Sequence, residues 1–265
     1  MPVPDTARTG PDAALHRGLT DDLRLAHLLA DDADSITMSR FKSLDLHVTS
    51  KPDLTPVSDA DTAAEQAIRR TLSRARPRDA VHGEELADTG WGPRRWVLDP
   101  IDGTKNFVRG VPVWATLIAL VVDGRVELGV VSAPALQRRW WAERGGGAYA
   151  GGDRVHVSAV RRPEDAVLSF ALEQALPSLA GRAWHARGYG DFWSHMLVAE
   201  GAVDGAIDAI GVSVWDLAAV QVIVEEAGGT FTDFAGEHRV DGGSAISSNG
   251  HLHPALLEAV VGIRD

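Results

Sequence analysis

A chain of 265 residues with 45% hydrophobic side chains can bury a sizeable core as one large domain or two tightly joined halves, and no apolar run approaches the length of a membrane span. The absence of cysteine excludes disulfides and thiolate metal sites and leaves oxygen and imidazole as the available ligands. A formal charge of −11 argues against binding a nucleic-acid backbone, which requires a basic face.

Residues 1–19 are rich in Pro, Asp, Arg and Gly without periodicity and read as a disordered tail. No charged-then-apolar leader pattern occurs in them, so the expected location is the cytoplasm. Thr20, Asp21 and Asp22 open a helix on which Ala26, Leu29, Ala33 and Ile36 recur at helical spacing. Ser58 and Asp61 have the spacing of a capping box, with Ala64, Ala67, Ile68 and Thr71 continuing one face of a second helix. The run Val113 to Val122 predicts a buried strand. Asp123-Gly124 predicts a two-residue hairpin turn, from which Val126 to Ser132 returns antiparallel. Trp140-Trp141-Ala142 continues the sheet as packing residues, and Gly145-Gly146-Gly147 reads as a turn because it lacks the Lys and Ser/Thr of a phosphate loop. After about residue 158, short apolar strands alternate with helical stretches at 190–201, 215–228 and 253–262. His251 and His253 read as an exposed turn before the last of these. The expected fold is α/β, with an N-terminal half over 20–158 and a C-terminal half over 159–265.

The most informative segment is Trp96-Val97-Leu98-Asp99-Pro100-Ile101-Asp102-Gly103-Thr104-Lys105-Asn106-Phe107. An apolar run drives into Asp99, Pro100 biases that residue away from helix, and the chain must bend before Asp102. The bend can turn both carboxylates toward one point, where they repel unless a cation lies between them. Gly103 allows close backbone approach to a ligand, and the N–H groups behind Thr104 can hold an anion. Taken alone, the two acids equally describe a strand ending in an Asx-type turn.

This segment resembles the second signature of the inositol monophosphatase superfamily, which consists of Mg²⁺-dependent phosphomonoesterases. Lys51-Pro52-Asp53-Leu54-Thr55-Pro56-Val57-Ser58-Asp59 looks like the early Asp/Thr/Asp element of that superfamily. Gly83-Glu84-Glu85 looks like its acidic loop, Trp215-Asp216-Leu217-Ala218-Ala219 like its Trp-Asp motif, and Glu226-Ala227-Gly228-Gly229 like the usual sequel. The resemblance implies a layered α/β sandwich with the site between its halves. It implies that Asp99 bridges two Mg²⁺ ions, that Glu84 and the Ile101 carbonyl complete the first site, and that Asp102 and Asp216 complete the second. Glu84 also reaches a third ion through water, so two to three ions are expected per site. Thr104 would orient the attacking water with Asp59 accepting its hydroxyl proton. Phosphate would lie on the N–H groups of Gly103 and Thr104, beside Asp102 and Lys105. A homodimer is implied, with a small phosphate monoester as partner and neither nucleic acid nor membrane. Each residue also has a plainer reading by itself: Asp59 as a helix cap, Glu84-Glu85 as a solvated pair, Asp216 as a first-turn acid facing the helix dipole.

Inositol phosphatases of this superfamily carry a glutamate seven residues before the Trp-Asp aspartate, where this chain has Ala209 with Asp208 beside it. Three segments (106–114, 132–141 and 187–192) look instead like the histidinol-phosphate phosphatase branch found in actinobacteria. That branch implies hydrolysis of L-histidinol phosphate in histidine biosynthesis. The alternatives are an inositol monophosphatase, a broad polyol or sugar phosphatase, and a non-catalytic regulatory relative, the last disfavoured because every metal ligand is intact. An ammonium and an imidazole call for acids in the pocket, and Asp191, Asp208 and Glu173 are candidates. Arg187 matches the branch as a site-lining residue, or it forms a salt bridge between the halves.

Overall fold

The computed structural model describes residues 11–52, 54–170, 179, 181–208 and 211–260. A long helix, α1 (Pro11–Arg40), leads into the short hairpin β1 (Val48–Ser50) and β2 (Pro56–Ser58) and then α2 (Asp59–Ala75). Seven strands follow almost without interruption: β3 (Ala80–Gly83), β4 (Arg94–Asp102), β5 (Ala115–Val122), β6 (Arg125–Ala133), β7 (Arg138–Glu143), β8 (Gly147–Ala150) and β9 (Asp153–Val155). They form one sheet in sequential order, parallel between β3 and β4 and antiparallel elsewhere. The short helix α3 (Thr104–Val108) lies between β4 and β5. The second sheet has the order β11-β10-β12-β14-β13, from β10 (Val167–Phe170), β11 (His185–Arg187), β12 (Gly205–Asp208), β13 (Thr230–Thr232) and β14 (Ala245–Ser248). Helices α4 (Asp191–Ala199), α5 (Val214–Glu226) and α6 (His253–Val260) are the other α-helices described along their length.

Strand alternation explains the layering. Along β4 and β5, Trp96, Leu98, Ile118 and Leu120 point to one face of the large sheet, where they pack against Leu25, Leu29, Ala64 and Ile68 of α1 and α2. Val97, Leu117 and Ala119 point to the other face, where α4 and α5 join them to Ala206, Phe231 and Ala245 of the second sheet. A third cluster, with Leu168, Ile207, Ile246 and Leu256, seats α6 on the far side of that sheet. The order is helix, sheet, helix, sheet, helix. Because α5 is covered on both sides, it is apolar nearly all round: Leu217 through Val224 are all buried.

The hairpin at Asp123-Gly124 has φ of 51° and 81°, the doubly positive pair that a two-residue turn between twisted strands requires. Two expectations change. Helix α1 already runs from Pro11, well before Thr20; residues 1–10 of the expected tail lie outside the described residues. His253 does not sit in an exposed turn: it is 6% exposed, with Nε2 2.9 Å from Thr232 Oγ1 and Nδ1 2.9 Å from Ser248 Oγ. Burial lowers its pKa to about 4, so the ring is neutral and serves as a hydrogen-bonded core residue. Among the described residues no helix is long and apolar enough to cross a membrane.

Gly129 on β6 lies directly under α5, and a Cβ there would meet Ala219 O at 2.6 Å and Ala219 Cα at 2.9 Å. Backbone cannot yield as a side-chain tip can, so Gly129→Ala is expected to destabilise the fold by about 1–3 kcal/mol through overpacking. Urea unfolding checks this; unchanged stability would mean that α5 lifts off the sheet freely.

Candidate active site

Strand β4 ends in an irregularity that carries the chemistry. Asp99 pairs with Leu117 and Asp102 with Ala115, so β4 advances three residues while β5 advances two. Thr116 Oγ1 donates to the Pro100 carbonyl at 2.8 Å and holds the bend, and the Ile101 N–H donates to Asp99 Oδ1 at 3.0 Å. Both carboxylates are buried, Asp99 at 1% and Asp102 at 8% exposure. Gly103 then turns the chain in the left-handed region (φ 84°), where a Cβ would lie 3.1 Å from Val113 O, and α3 begins with no side chain capping it.

Asp216 arrives from the first turn of α5. The Ser213 N–H donates to its Oδ2 at 2.6 Å in a capping box. The capping reading and the ligand reading are therefore compatible, because a carboxylate has two oxygens. Trp215 docks this helix start on His82 of β3 with ring centroids 5.2 Å apart. Ligand oxygens of Asp99, Asp102 and Asp216 lie within 4.8 Å of one another. Burial and then the charges of Glu84, Asp102 and Asp216 push the Asp99 carboxyl well above the usual carboxylate range. Burial and then Asp191 and Asp216 do the same to Asp102. Asp216 is raised to about 7, chiefly by burial, against the pull of the Ser213 N–H.

Three carboxylates crowded together, two of them buried, with oxygen donors only are a poor arrangement without a cation and a suitable one for a hard divalent ion such as Mg²⁺. Glu84 borders the group, and the Ile101 carbonyl faces Thr104 Oγ1 at 2.9 Å. The acidic loop is held from both sides. Glu65 of α2 accepts the Glu85 N–H at 2.7 Å, while Lys51 Nζ lies 2.6 Å from Glu84 Oε1 and 2.7 Å from Glu85 Oε1. Burial works against the Lys51 ammonium, yet the two glutamates raise its pKa; Glu85 is raised by burial to about 7. The loop is thus an ion-paired wall rather than a solvated pair.

The threonine partner differs from the expected one. Thr104 Oγ1 lies 3.2 Å from Asp61 Oδ1, whereas Asp59 is 40% exposed and binds Arg40 Nη2 at 2.7 Å. Residues two apart on a helix face opposite sides, so α2 can present only one of the two acids to the site. Asp61 is the inward one, fully buried, with Oδ2 taking the Ser58 N–H at 2.9 Å. The signal was available: Asp61 is in phase with Ala64 and Ile68, which face the core, and with Glu65, which anchors the acidic loop.

A cleft of about 700 Å³ opens above the cluster, lined by Lys51, Glu84, Thr104, Lys105, Asp191 and Asp216 among others. Gly103 and Lys105 both line it. Arg187 does not line the cleft and, among the described residues, forms no bridge between the halves. It is exposed at the end of the edge strand β11, with Nε donating to His185 Nε2 at 2.9 Å. Glu173 and Ala209 lie outside the described residues.

The carboxyl shifts have a consequence for stability. In the metal-free protein the folded state keeps protons on acids whose ordinary pKa is 3.8, Asp216 holding its proton to about 7. Groups with raised folded pKa contribute stability below the unfolded value and lose it as pH rises through the folded one. Asp99→Asn is therefore expected to gain melting temperature relative to wild type, both in EDTA, by an amount that grows as pH rises above the ordinary carboxyl value of 3.8. Mg²⁺ should stabilise wild type and not the variant. A pH-independent difference would show that the acids are not strained against one another.

The arrangement has counterparts among known proteins. A family model described as the inositol monophosphatase family matches residues 20–264. The chain is 55% identical over 255 residues to a histidinol-phosphatase of Streptomyces coelicolor, covering 89% of this chain and 96% of that protein. It is 54% identical over 252 residues to a histidinol-phosphatase of Mycobacterium tuberculosis, with the same shares of 89% and 96%. The solved structure of an IMPase from Thermotoga maritima superposes with a TM-score of 0.84 at 31% identity, covering 92% of this chain and 98% of that one. The layered fold, the acids at the end of β4 and the α5 aspartate all fall within this matched span, and the chain belongs to the inositol monophosphatase family.

Proposed function

We propose that this chain is a Mg²⁺-dependent phosphomonoesterase that hydrolyses L-histidinol phosphate to L-histidinol and phosphate. The observation that carries the chemistry is the convergence of Asp99, Asp102 and Asp216 beside the Gly103-Thr104 turn. The substrate reading is supported by the two histidinol-phosphatases, each more than half identical to this chain. The same reading makes it a cytoplasmic homodimer of histidine biosynthesis, acting on a small phosphoester with neither nucleic acid nor membrane as partner.

Asp99, Asp102, Asp216 and Glu84, with the Ile101 carbonyl, would hold two to three Mg²⁺ ions. Bound Mg²⁺ would neutralise phosphate charge and favour ionisation of the attacking water. The protein's own contribution is orientation. The single Thr104 hydroxyl proton is offered to Asp61 or to Ile101 O, which leaves its lone pairs free to accept a hydrogen bond from that water. As the water oxygen bonds to phosphorus, its proton passes through the Thr104 hydroxyl to Asp61. The ester oxygen departs with its electron pair and takes a proton from solvent. Burial raises the Asp61 carboxyl above the ordinary range, which suits a proton acceptor. The N–H groups of Gly103 and Thr104 receive the phosphate, and Lys105 at the cleft wall adds positive charge.

Phosphate release with Mg²⁺, compared between L-histidinol phosphate and inositol monophosphate with an EDTA control, tests the substrate. A preference in kcat/KM of about a hundredfold, or about 2.7 kcal/mol of transition-state discrimination, is expected for histidinol phosphate. Equal rates would keep the chemistry and reject the substrate. Within the dyad, Asp61→Asn should lower kcat by about 10²- to 10⁴-fold, while Asp59→Asn should leave it within about twofold. The reverse pattern would return the role to Asp59.

A further inference from the structure

Two acids at and beside the cleft, Asp191 in its wall and Asp208 half-buried next to it, have no part in the phosphoryl chemistry. Asp191 opens α4 with φ of 49°, a left-handed conformation that a non-glycine residue adopts rarely. Its Oδ2 would lie 3.4 Å from a Cβ at Gly103, so the carboxylate abuts the turn on which the phosphate sits. Asp208 ends β12, three residues before Gly211 of the cleft wall, and its charge raises the pKa of Asp191, Asp102 and Asp216. The cation whose charge reaches Asp191 from solvent is the exposed Lys105.

An independent observation points to the same place. His195 of α4 is 1% exposed, and its Nδ1 lies 2.8 Å from Ser247 Oγ on β14. Its Nε2 has no hydrogen-bond partner among the described residues and is aimed at Asp208 Oδ2, 3.6 Å away. In the tautomer where Nδ1 accepts from the Ser247 hydroxyl, the ring N–H at Nε2 would face the Asp208 carboxylate. A buried ring N–H left without a hydrogen bond is costly, and such groups in native proteins mark places where a ligand or water completes the network.

We propose that Asp191 and Asp208 form an anionic subsite beside the phosphate turn that takes a protonated amine of the substrate, with His195 as the positioning residue that directs Asp208. Because Asp191 touches the Gly103 turn, the ammonium must lie within a few bonds of the phosphorus. The substrate class is therefore a phosphate monoester of a vicinal amino alcohol. A polyol phosphate would leave both acids desolvated without a countercharge, which is the basis of discrimination. This inference rests on the reading of the chain as a histidinol-phosphate phosphatase and names the part of the substrate that is read.

The test compares kcat/KM, at saturating Mg²⁺, for L-histidinol phosphate and for its desamino analogue, which keeps the imidazole and the phosphoester. Wild type is expected to favour the amine by roughly a hundredfold, and Asp191→Asn and Asp208→Asn each to lower that ratio at least about tenfold through KM. His195→Gln should lower the ratio by roughly threefold to tenfold, again through KM, since it misdirects Asp208 without removing its charge. Melting curves establish that each isosteric variant is folded. A wild-type preference that survives both aspartate substitutions overturns the subsite and leaves the function standing. Equal turnover of the two substrates by wild type overturns the subsite and leaves the function standing, whereas turnover of neither overturns the function and the subsite together. Losses equal on both substrates would assign Asp191 and Asp208 to metal binding or His195 to packing, and would overturn their roles here.

Discussion

Electrostatic repulsion among Asp99, Asp102 and Asp216 is the constraint around which the rest of the molecule is arranged. Ionised acids with ligand oxygens within 4.8 Å of one another, two of them buried, oppose folding unless a cation or protons compensate. The fold supplies the force that keeps them together. The bulge at the end of β4 is fixed by Thr116 on the neighbouring strand, and Asp216 is fixed by a helix packed between two sheets. Because those elements are anchored by core burial, the acids cannot relax apart. The strain is held locally and met by packing elsewhere, as expected of a preorganised site.

Each acid is also held through one oxygen by a backbone N–H. Asp99 takes the Ile101 N–H, Asp102 the Phe192 N–H at 2.6 Å, and Asp216 the Ser213 N–H. The Phe192 contact ties the large-sheet acid to the start of α4, next to Asp191. Lys51 performs a comparable service for the Glu84-Glu85 loop, neutralising charge at the cleft mouth that the aspartates cannot tolerate. A protein of net charge −11 can in this way present an acidic cleft to a phosphoester, because bound cations reverse the sign where the phosphate sits.

Much of the site was legible before the structure because its parts depend on short-range rules. The strand running into Asp99-Pro100, the glycine turn after Asp102 and the hairpin at Asp123-Gly124 follow from backbone restrictions over a few residues. So does the capping box at Ser58, which places Asp61 in a first helical turn. The choice of Asp59 over Asp61 failed because motif spacing was followed rather than helix phase; Asp61 shares the inward face with Ala64 and Ile68. Arg187 was carried over from resemblance, and its position at the end of an edge strand leaves it in solvent.

The sequence by itself determined the α/β class, the order of the acids and the turn chemistry around Asp99 and Asp123-Gly124, because these are set by alternation, helical period and backbone sterics; the layering came from the family resemblance. Tertiary structure alone decided which side chains converge. Asp208, His195 and Ser247 lie on β12, α4 and β14, far apart in the chain, and meet only because α4 packs across the second sheet. Likewise His253 is buried between Thr232 and Ser248 through sheet pairing that no local pattern announces. Local rules aim a residue relative to its own element. Only the docking of elements, driven by burial of their apolar faces, determines what it is aimed at.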